Sequence, residues 1–225
     1  MISQFQVLVS QFNKEIAAYS IENLDDLRIK LIDEEVRETA EAMKRKDTVE
    51  AIDGLCDVLY VTYGAADVYG VELDTHDDED QNPLKENWTE VLNCIGDFED
   101  SANQAMAAIR TKDKLDVRLL DLASGCWDCA GQGLGIDLRP FFREVHRTNM
   151  NKLSGPVRED GKKLKPPDWK PPRIVEMLNR IRAGNHAVCI HYEQGLSVAA
   201  TPHPQGGHFC TQCGGLFVDW MGVPK

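Results

Sequence analysis

The stretch from Val49 to Tyr69, VEAIDGLCDVLYVTYGAADVY, narrows most what this chain can become. It follows Asp47, a residue suited to capping a helix, and Gly70 ends it. Ile52, Leu55, Cys56, Val58, Leu59 and Val61 make it too apolar for a surface helix, yet it carries Glu50, Asp53 and Asp57. Acids on such a helix require a counter-charge, because burying an unpaired carboxylate is costly.

The preceding segment adds more acids. A helix capped by Asn23 or Asp25 and running to about Lys46 carries Glu34, Glu35 and Glu38, the pattern EExxE. Spacings of three and four put Glu35 with Glu38, Glu34 with Glu38, and each consecutive pair of Glu50, Asp53 and Asp57 on one helix face. The short connection predicts antiparallel neighbours, so the two acidic sets face each other across one seam. Like charges so placed destabilise a protein without cations. Hard divalent ions relieve the repulsion, and an all-oxygen ligand set favours Mg²⁺ or Mn²⁺ over Zn²⁺. EExxE by itself reads as a solvated face. The acids on the apolar second helix shift the balance to a metal site.

The rest of the chain reads as helices around this pair, an all-α bundle. Phe5, Leu8, Phe12, Ile16 and Tyr19 mark an amphipathic helix from Gln4 to Tyr19, and others are expected over Trp88–Arg110, Leu115–Gln132, Pro140–Asn151 and Ile174–Arg182. A charged loop, Asp74–Pro83, and a basic Pro- and Gly-rich loop, Leu153–Pro172, punctuate them. AMAAIRTKDKLDVRLLDLASG from Ala105 echoes AMKRKDTVEAIDGLCDVLYVTYG from Ala42, as expected of a repeated helical hairpin. In the echo Glu34, Glu35, Glu38, Glu50 and Asp53 correspond to Asp100, Ser101, Gln104, Asp116 and Leu119, so most acids are gone. The reading is a helical domain over 1–182, with a degenerate hairpin at 74–137, and a separate tail over 187–225.

Length and composition agree. The 225 residues can bury one full core with an appendage, and no apolar run approaches the roughly 18 residues of a membrane span. The N-terminus does not read as a signal peptide, and seven unevenly spread cysteines imply no disulfide framework, so a cytoplasmic setting is expected. A net charge of −12 argues against direct nucleic-acid binding. In the tail, Cys210 and Cys213 followed by Gly214 make half a zinc knuckle. Cys189 and His191 are the first choice for the other half, with His203 and His208 as substitutes, giving a small β-rich, zinc-ribbon-like module around one structural Zn²⁺. Its role would be structural or the binding of a partner.

EExxE on one helix and ExxD on the next resembles the signature of the all-α nucleoside triphosphate pyrophosphohydrolases, a superfamily that includes MazG-like enzymes, dimeric dUTPases and phosphoribosyl-ATP pyrophosphohydrolase. DGLCDVLYVTYGAADVYGVEL (Asp53–Leu73) and FFREVHRTNMNKL with DGKKLKPPDWKPP (Phe141–Pro172) are similar to its bacterial and phage MazG-like branch. The resemblance implies hydrolysis of a (deoxy)nucleoside triphosphate to monophosphate and pyrophosphate, in nucleotide-pool control. It implies two to three Mg²⁺ or Mn²⁺ ions on Glu35, Glu38, Glu50 and Asp53, with Glu34 as a further ligand or as the group polarising water. Asp57 would only orient a ligand. Lys152 and Lys165 match positions that pair with phosphates, Asn149 one near the nucleotide, and Asn13 one near the base or sugar. Phe5 and Phe12 could stack on the base, although aromatics of an amphipathic helix are more often core. A homo-oligomer, a dimer, is implied as well. The segment from Asp74 to Asp137 departs from single-copy members, and as a duplicated hairpin it could replace a partner subunit's helices. The choice among dUTP, dCTP and dGTP stays open, because base specificity rests on pocket shape. The competing reading is a non-catalytic helical scaffold with a zinc-knuckle recognition module.

Overall fold

The computed structural model describes residues 2–74, 84–183, 200–202, 208–210 and 216–217. They form two compact units, residues 1–171 and 172–225. Helices α1 (Gln4–Glu15), α2 (Leu24–Lys44), α3 (Thr48–Val68), α4 (Trp88–Thr111), α5 (Leu115–Asp128) and α6 (Arg139–Asn151) build the first unit. Among the described residues no helix is long and apolar enough to cross a membrane.

Local chemistry accounts for the boundaries. Asp47 accepts a hydrogen bond from the backbone N–H of Glu50 and starts α3 as its cap. Asn87 does the same for α4 through the N–H of Glu90. Asn23 begins α2 differently: it sits at φ 55° and its side chain makes no capping bond. Asparagine is tolerated there because left-handed backbone suits it better than most residues. Asp25 lies inside the first turn of α2 and accepts from Tyr69 Oη and Lys112 Nζ, both at 2.7 Å. Helix α1 stops at Glu15, short of the expected Tyr19, because Ala17 turns left-handed and a short 3₁₀ turn, Ala18–Ser20, follows.

α2 and α3 pack as an antiparallel hairpin, α4 lies on α2, and α5 lies on α3. α1 and α6 close over α3. The core between them holds Phe5, Ile32, Ile52, Leu55, Leu59, Tyr63, Phe141 and Phe142, all fully buried. Phe5 meets Phe142 edge to face at 5.0 Å and Trp127 at 5.5 Å, so it is a core residue. α2 and α3 approach most closely where Gly54 faces Thr39. A Cβ at Gly54 would collide with Thr39 Oγ1 and come within 3.1 Å of the Thr39 Cα. This contact lies one residue beyond Glu38 on one helix and one beyond Asp53 on the other, so the close approach of the helices is set beside the acidic seam.

The second unit contains α7 (Ile174–Arg182) and three short antiparallel strands, β1 (Ala200–Pro202), β2 (His208–Cys210) and β3 (Leu216–Phe217), in the order β1-β2-β3. Ala200 pairs with Cys210, and His208 pairs with both Pro202 and Phe217. Of the residues expected to bind zinc, Cys189, His191, His203 and Cys213 lie outside the described residues, while Cys210 and His208 lie on β2.

Candidate active site

α2 and α3 bring their acids to one seam. Glu34 and Glu35 are partly buried, as are Asp53 and Asp57 opposite them, and Glu38 and Glu50 stand at the exposed end. Burial raises the Glu35 carboxyl to about 7, helped by the charges of Asp57 and Glu38. Burial lifts Asp53 to about 6, with Glu50 and Glu35 adding to the effect, and lifts Asp57 to about 7, with Asp53 adding to it. Mutual repulsion of this kind marks carboxylates gathered with too little positive charge between them.

Part of the missing charge comes from the basic loop after α6. Lys162 Nζ donates to Glu34 Oε2 at 2.7 Å and lies 3.5 Å from Glu35 Oε1, and Arg158 pairs with Glu34 at 3.5 Å. Burial works against ionised Glu34, but the Lys162 hydrogen bond and the Lys162, Arg158 and Lys30 charges outweigh it, so its pKa falls. Lys152, at the end of α6, is itself pulled down by burial while the charges of Asp57 and Glu35 hold it up. Lys165 lies over the Trp169 ring at 4.1 Å, and Trp169 Nε1 donates to the Thr148 carbonyl at 3.1 Å, pinning the loop to α6. Lys163 supports the loop by donating to the carbonyls of Leu153 and Gly155.

A cleft enclosing about 650 Å³, part of it open to solvent, runs from these groups along the hairpin. Its polar lining is Asn13, Arg28, Glu35, Asp57, Asn149, Lys152, Lys162 and Lys163, and Phe12, Ile16, Leu31, Tyr60 and Val61 add apolar wall. Phe12 is therefore a cleft residue and meets Tyr60 edge to face at 5.7 Å. Behind it Tyr60 Oη contacts His146 Nδ1 at 3.1 Å, and burial keeps that imidazole neutral down to about pH 4. Asn13 is 1% exposed with both ends of its amide engaged: Nδ2 donates to the Gly64 carbonyl and to Asp67 Oδ2, and Oδ1 accepts from Arg28 Nη2.

Of the residues expected from sequence, the structure brings Glu35, Asn13, Asn149 and Lys152 to one cleft, with Glu34, Asp53 and Asp57 on the same seam. Glu38, Glu50 and Lys165 stand exposed outside the cleft lining. Lys162, Arg158, Arg28 and Gly54 were not singled out by sequence. Lys162 is one of several loop lysines, and no spacing rule ranks them. Arg28 carried a usable signal, because it lies two helical turns before Glu35 on the same face.

Among the described residues no three acids, thiols or imidazoles converge as a ready-made cation cage. The donor chemistry still fits a hard divalent ion. All the candidate ligands are carboxylate oxygens, and burial, with neighbouring carboxylates, raises the proton affinity of two of them, Glu35 and Asp53.

Residues 3–79 match the family model described as phosphoribosyl-ATP pyrophosphohydrolase, a span that includes both acidic sets but not the basic loop. An uncharacterized protein of Acanthamoeba polyphaga mimivirus is 28% identical over 146 residues, 56% of this chain and 58% of that relative, so the chain spans little more than half of the relative's length. No solved structure matches significantly. The segment 3–79 is thus similar to the phosphoribosyl-ATP pyrophosphohydrolase domain, of the all-helical nucleoside triphosphate pyrophosphohydrolase superfamily.

Proposed function

We propose that this chain hydrolyses a deoxynucleoside triphosphate between its α- and β-phosphates, releasing the monophosphate and pyrophosphate, in control of the nucleotide pool. The observation that carries the reading is the α2/α3 seam, where crowded carboxyls with raised pKa values face Lys152 at the end of α6 and a loop bearing Lys162 and Lys165. Glu35, Glu38, Glu50 and Asp53 would hold two to three Mg²⁺ or Mn²⁺ ions. Bound there, such ions neutralise phosphate charge and activate water for in-line attack.

The chain's own residues do the rest. Lys152 is a desolvated ammonium, and a partly buried charge interacts with a phosphate oxygen more strongly than an exposed one. Lys162 now spends its charge on Glu34 and Glu35. A polyphosphate would compete for it, which couples substrate binding to release of the acids. Glu34, then held by Arg158 alone, is left to orient or polarise the attacking water. Phe12 and Tyr60 supply aromatic wall for a base, and Asn149 adds an amide beside Lys152.

The α4–α5 hairpin covers α2 and α3 from within the same chain. We infer that it stands where a partner's helices would pack, leaving one acidic seam per chain. The tail strands and the CxxC suit a small zinc-binding module, which is a separate proposal.

Incubation with Mg²⁺ and each dNTP and NTP, followed by ion-exchange separation, tests the chemistry. Monophosphate plus pyrophosphate, lost in Glu38→Gln, is the expected result. Diphosphate plus orthophosphate would refute the α–β cleavage. No turnover of any nucleotide, with Mn²⁺ also tried, would favour the scaffold reading.

A further inference from the structure

Arg28 is an incompletely satisfied charge in the cleft. Its residue is 5% exposed and lines the cavity. Of its N–H donors only Nη2 finds a partner, Asn13 Oδ1 at 3.1 Å, and Nε is buried with none. Among the described residues it makes no ion pair. The nearby carboxylate Asp67 spends Oδ2 on Asn13 Nδ2 at 2.8 Å and on Tyr19 Oη at 2.6 Å. A guanidinium whose Nε–H is buried without an acceptor costs stability unless something else completes it. Gly64 makes room for it, since a Cβ there would lie 2.8 Å from Arg28 Nη1. Asn13 holds it in place, and having no free amide group Asn13 cannot itself read a ligand.

The position tells what completes it. Arg28 precedes Glu35 by seven residues, two turns along one face, or about 10 Å of helix. That is close to the reach from an α-phosphate to the far edge of its base. The two ends of the cleft also differ in their charged neighbours. Lys152 and Lys162 act on Glu35 and Asp57, whereas the neighbours felt by Arg28 are Tyr69, Asp67 and Tyr19. The lysines that would hold phosphates thus act on the acids, and none of them is among the charges felt by Arg28.

We propose that Arg28 reads the nucleobase, donating to a carbonyl oxygen on its edge, with Asn13 as the residue that positions it. Guanine, hypoxanthine, cytosine and uracil carry such an oxygen. Adenine carries none and presents an amino donor where hypoxanthine has its O6. The inference rests on the nucleotide hydrolysis proposed above and adds a base class to it.

The test measures kcat/KM for dITP, dATP, dUTP, dCTP and base-free deoxyribose triphosphate in the wild type and in Arg28→Met. The expected result is that dATP is the weakest base-bearing substrate. Arg28→Met should lower the preferred nucleotide by about 10–100-fold, towards the base-free compound. Asn13→Ala should move the same ratio in the same direction by less. The melting temperature of Arg28→Met should change by no more than a few degrees, because loss of an incompletely paired buried charge offsets the orphaning of Asn13 Oδ1. Adenine equal to the best base, or equal losses for the base-free compound and the preferred nucleotide, would overturn the inference. Failure to release pyrophosphate from any nucleotide would contradict the hydrolysis instead. Calorimetric binding of dIMP against dAMP then still decides the base reading, tighter dIMP supporting it and equal affinity overturning it.

Discussion

Lys162 bridges two neighbouring acids of one helix, donating to Glu34 at 2.7 Å while its ammonium lies 3.5 Å from Glu35. It occupies a place where the seam needs positive charge and where phosphates would later bring cations of their own. Replacing it by Met removes that charge in the free protein. The metal-free variant should lose roughly 1 kcal/mol at pH 8, the scale of a partly exposed ion pair, which for a chain of this size is a few degrees of melting temperature. KM for the nucleotide should rise more than kcat falls. Calorimetric melting and steady-state kinetics check the two parts. An unchanged KM would remove Lys162 from the phosphate site.

Asp57 gives a pH-dependent prediction. Its carboxyl is lifted from 3.8 to about 7, first by burial and then by the Asp53 charge. A carboxyl with a raised folded pKa favours the fold while protonated. That advantage is present below the unfolded pKa and is lost as pH rises through the folded one. In metal-free protein Asp57→Asn should therefore melt with the wild type near pH 4 and increasingly above it up to pH 7, with a constant gap beyond. Saturating Mg²⁺ should narrow the gap. His146, held near 4 by burial, titrates in both proteins and cancels in the difference. A gap that closes with rising pH would have the wrong sign for a repelled carboxyl.

Gly54→Ala tests whether helix spacing sets the site. The helix-propensity gain of alanine, up to about 1 kcal/mol, favours the change. The added methyl would meet both the side chain and the Cα of Thr39, and backbone does not yield cheaply. Overpacking should win, with a net loss of about 1–3 kcal/mol. Mn²⁺ affinity should fall as well, because Glu35 and Glu38 move away from Glu50 and Asp53. Thr39→Ser in the same background should recover part of neither loss, since its Oγ and Cα remain, whereas Thr39→Gly should recover some of both. Stability lost with metal affinity intact would mean that the seam tolerates its spacing.

The helices were legible because burial wrote a 3.6-residue period into them. Asp47 as the α3 cap and the ranges of α3, α4 and α7 follow from cap chemistry and that period alone. The end of α1 was not legible, because Tyr19 continues the apolar spacing while Ala17 breaks the backbone. The acids of α2 and α3 could be paired in advance because both sit on regular helices with a short turn between them. The loop could not be treated so. Lys152 and Lys165 were the expected phosphate lysines, and the structure also brings Lys162 to the acids, an outcome decided by the path of an irregular segment. Gly54 carried a hint, since glycine inside an apolar helix costs helix stability unless another backbone needs the space. The spacing of Arg28 to Glu35 hinted at its face, but its burial arises only when α1, α2 and α3 assemble.

The most direct test of the central claim follows the oxygen of the attacking water. Hydrolysis in ¹⁸O-enriched water with Mg²⁺, followed by mass spectrometry of both products, locates the phosphorus that was attacked. Label in the nucleoside monophosphate and none in the pyrophosphate is the predicted result, since the seam would direct water to the α-phosphorus. Label in pyrophosphate, or release of labelled orthophosphate, would contradict it.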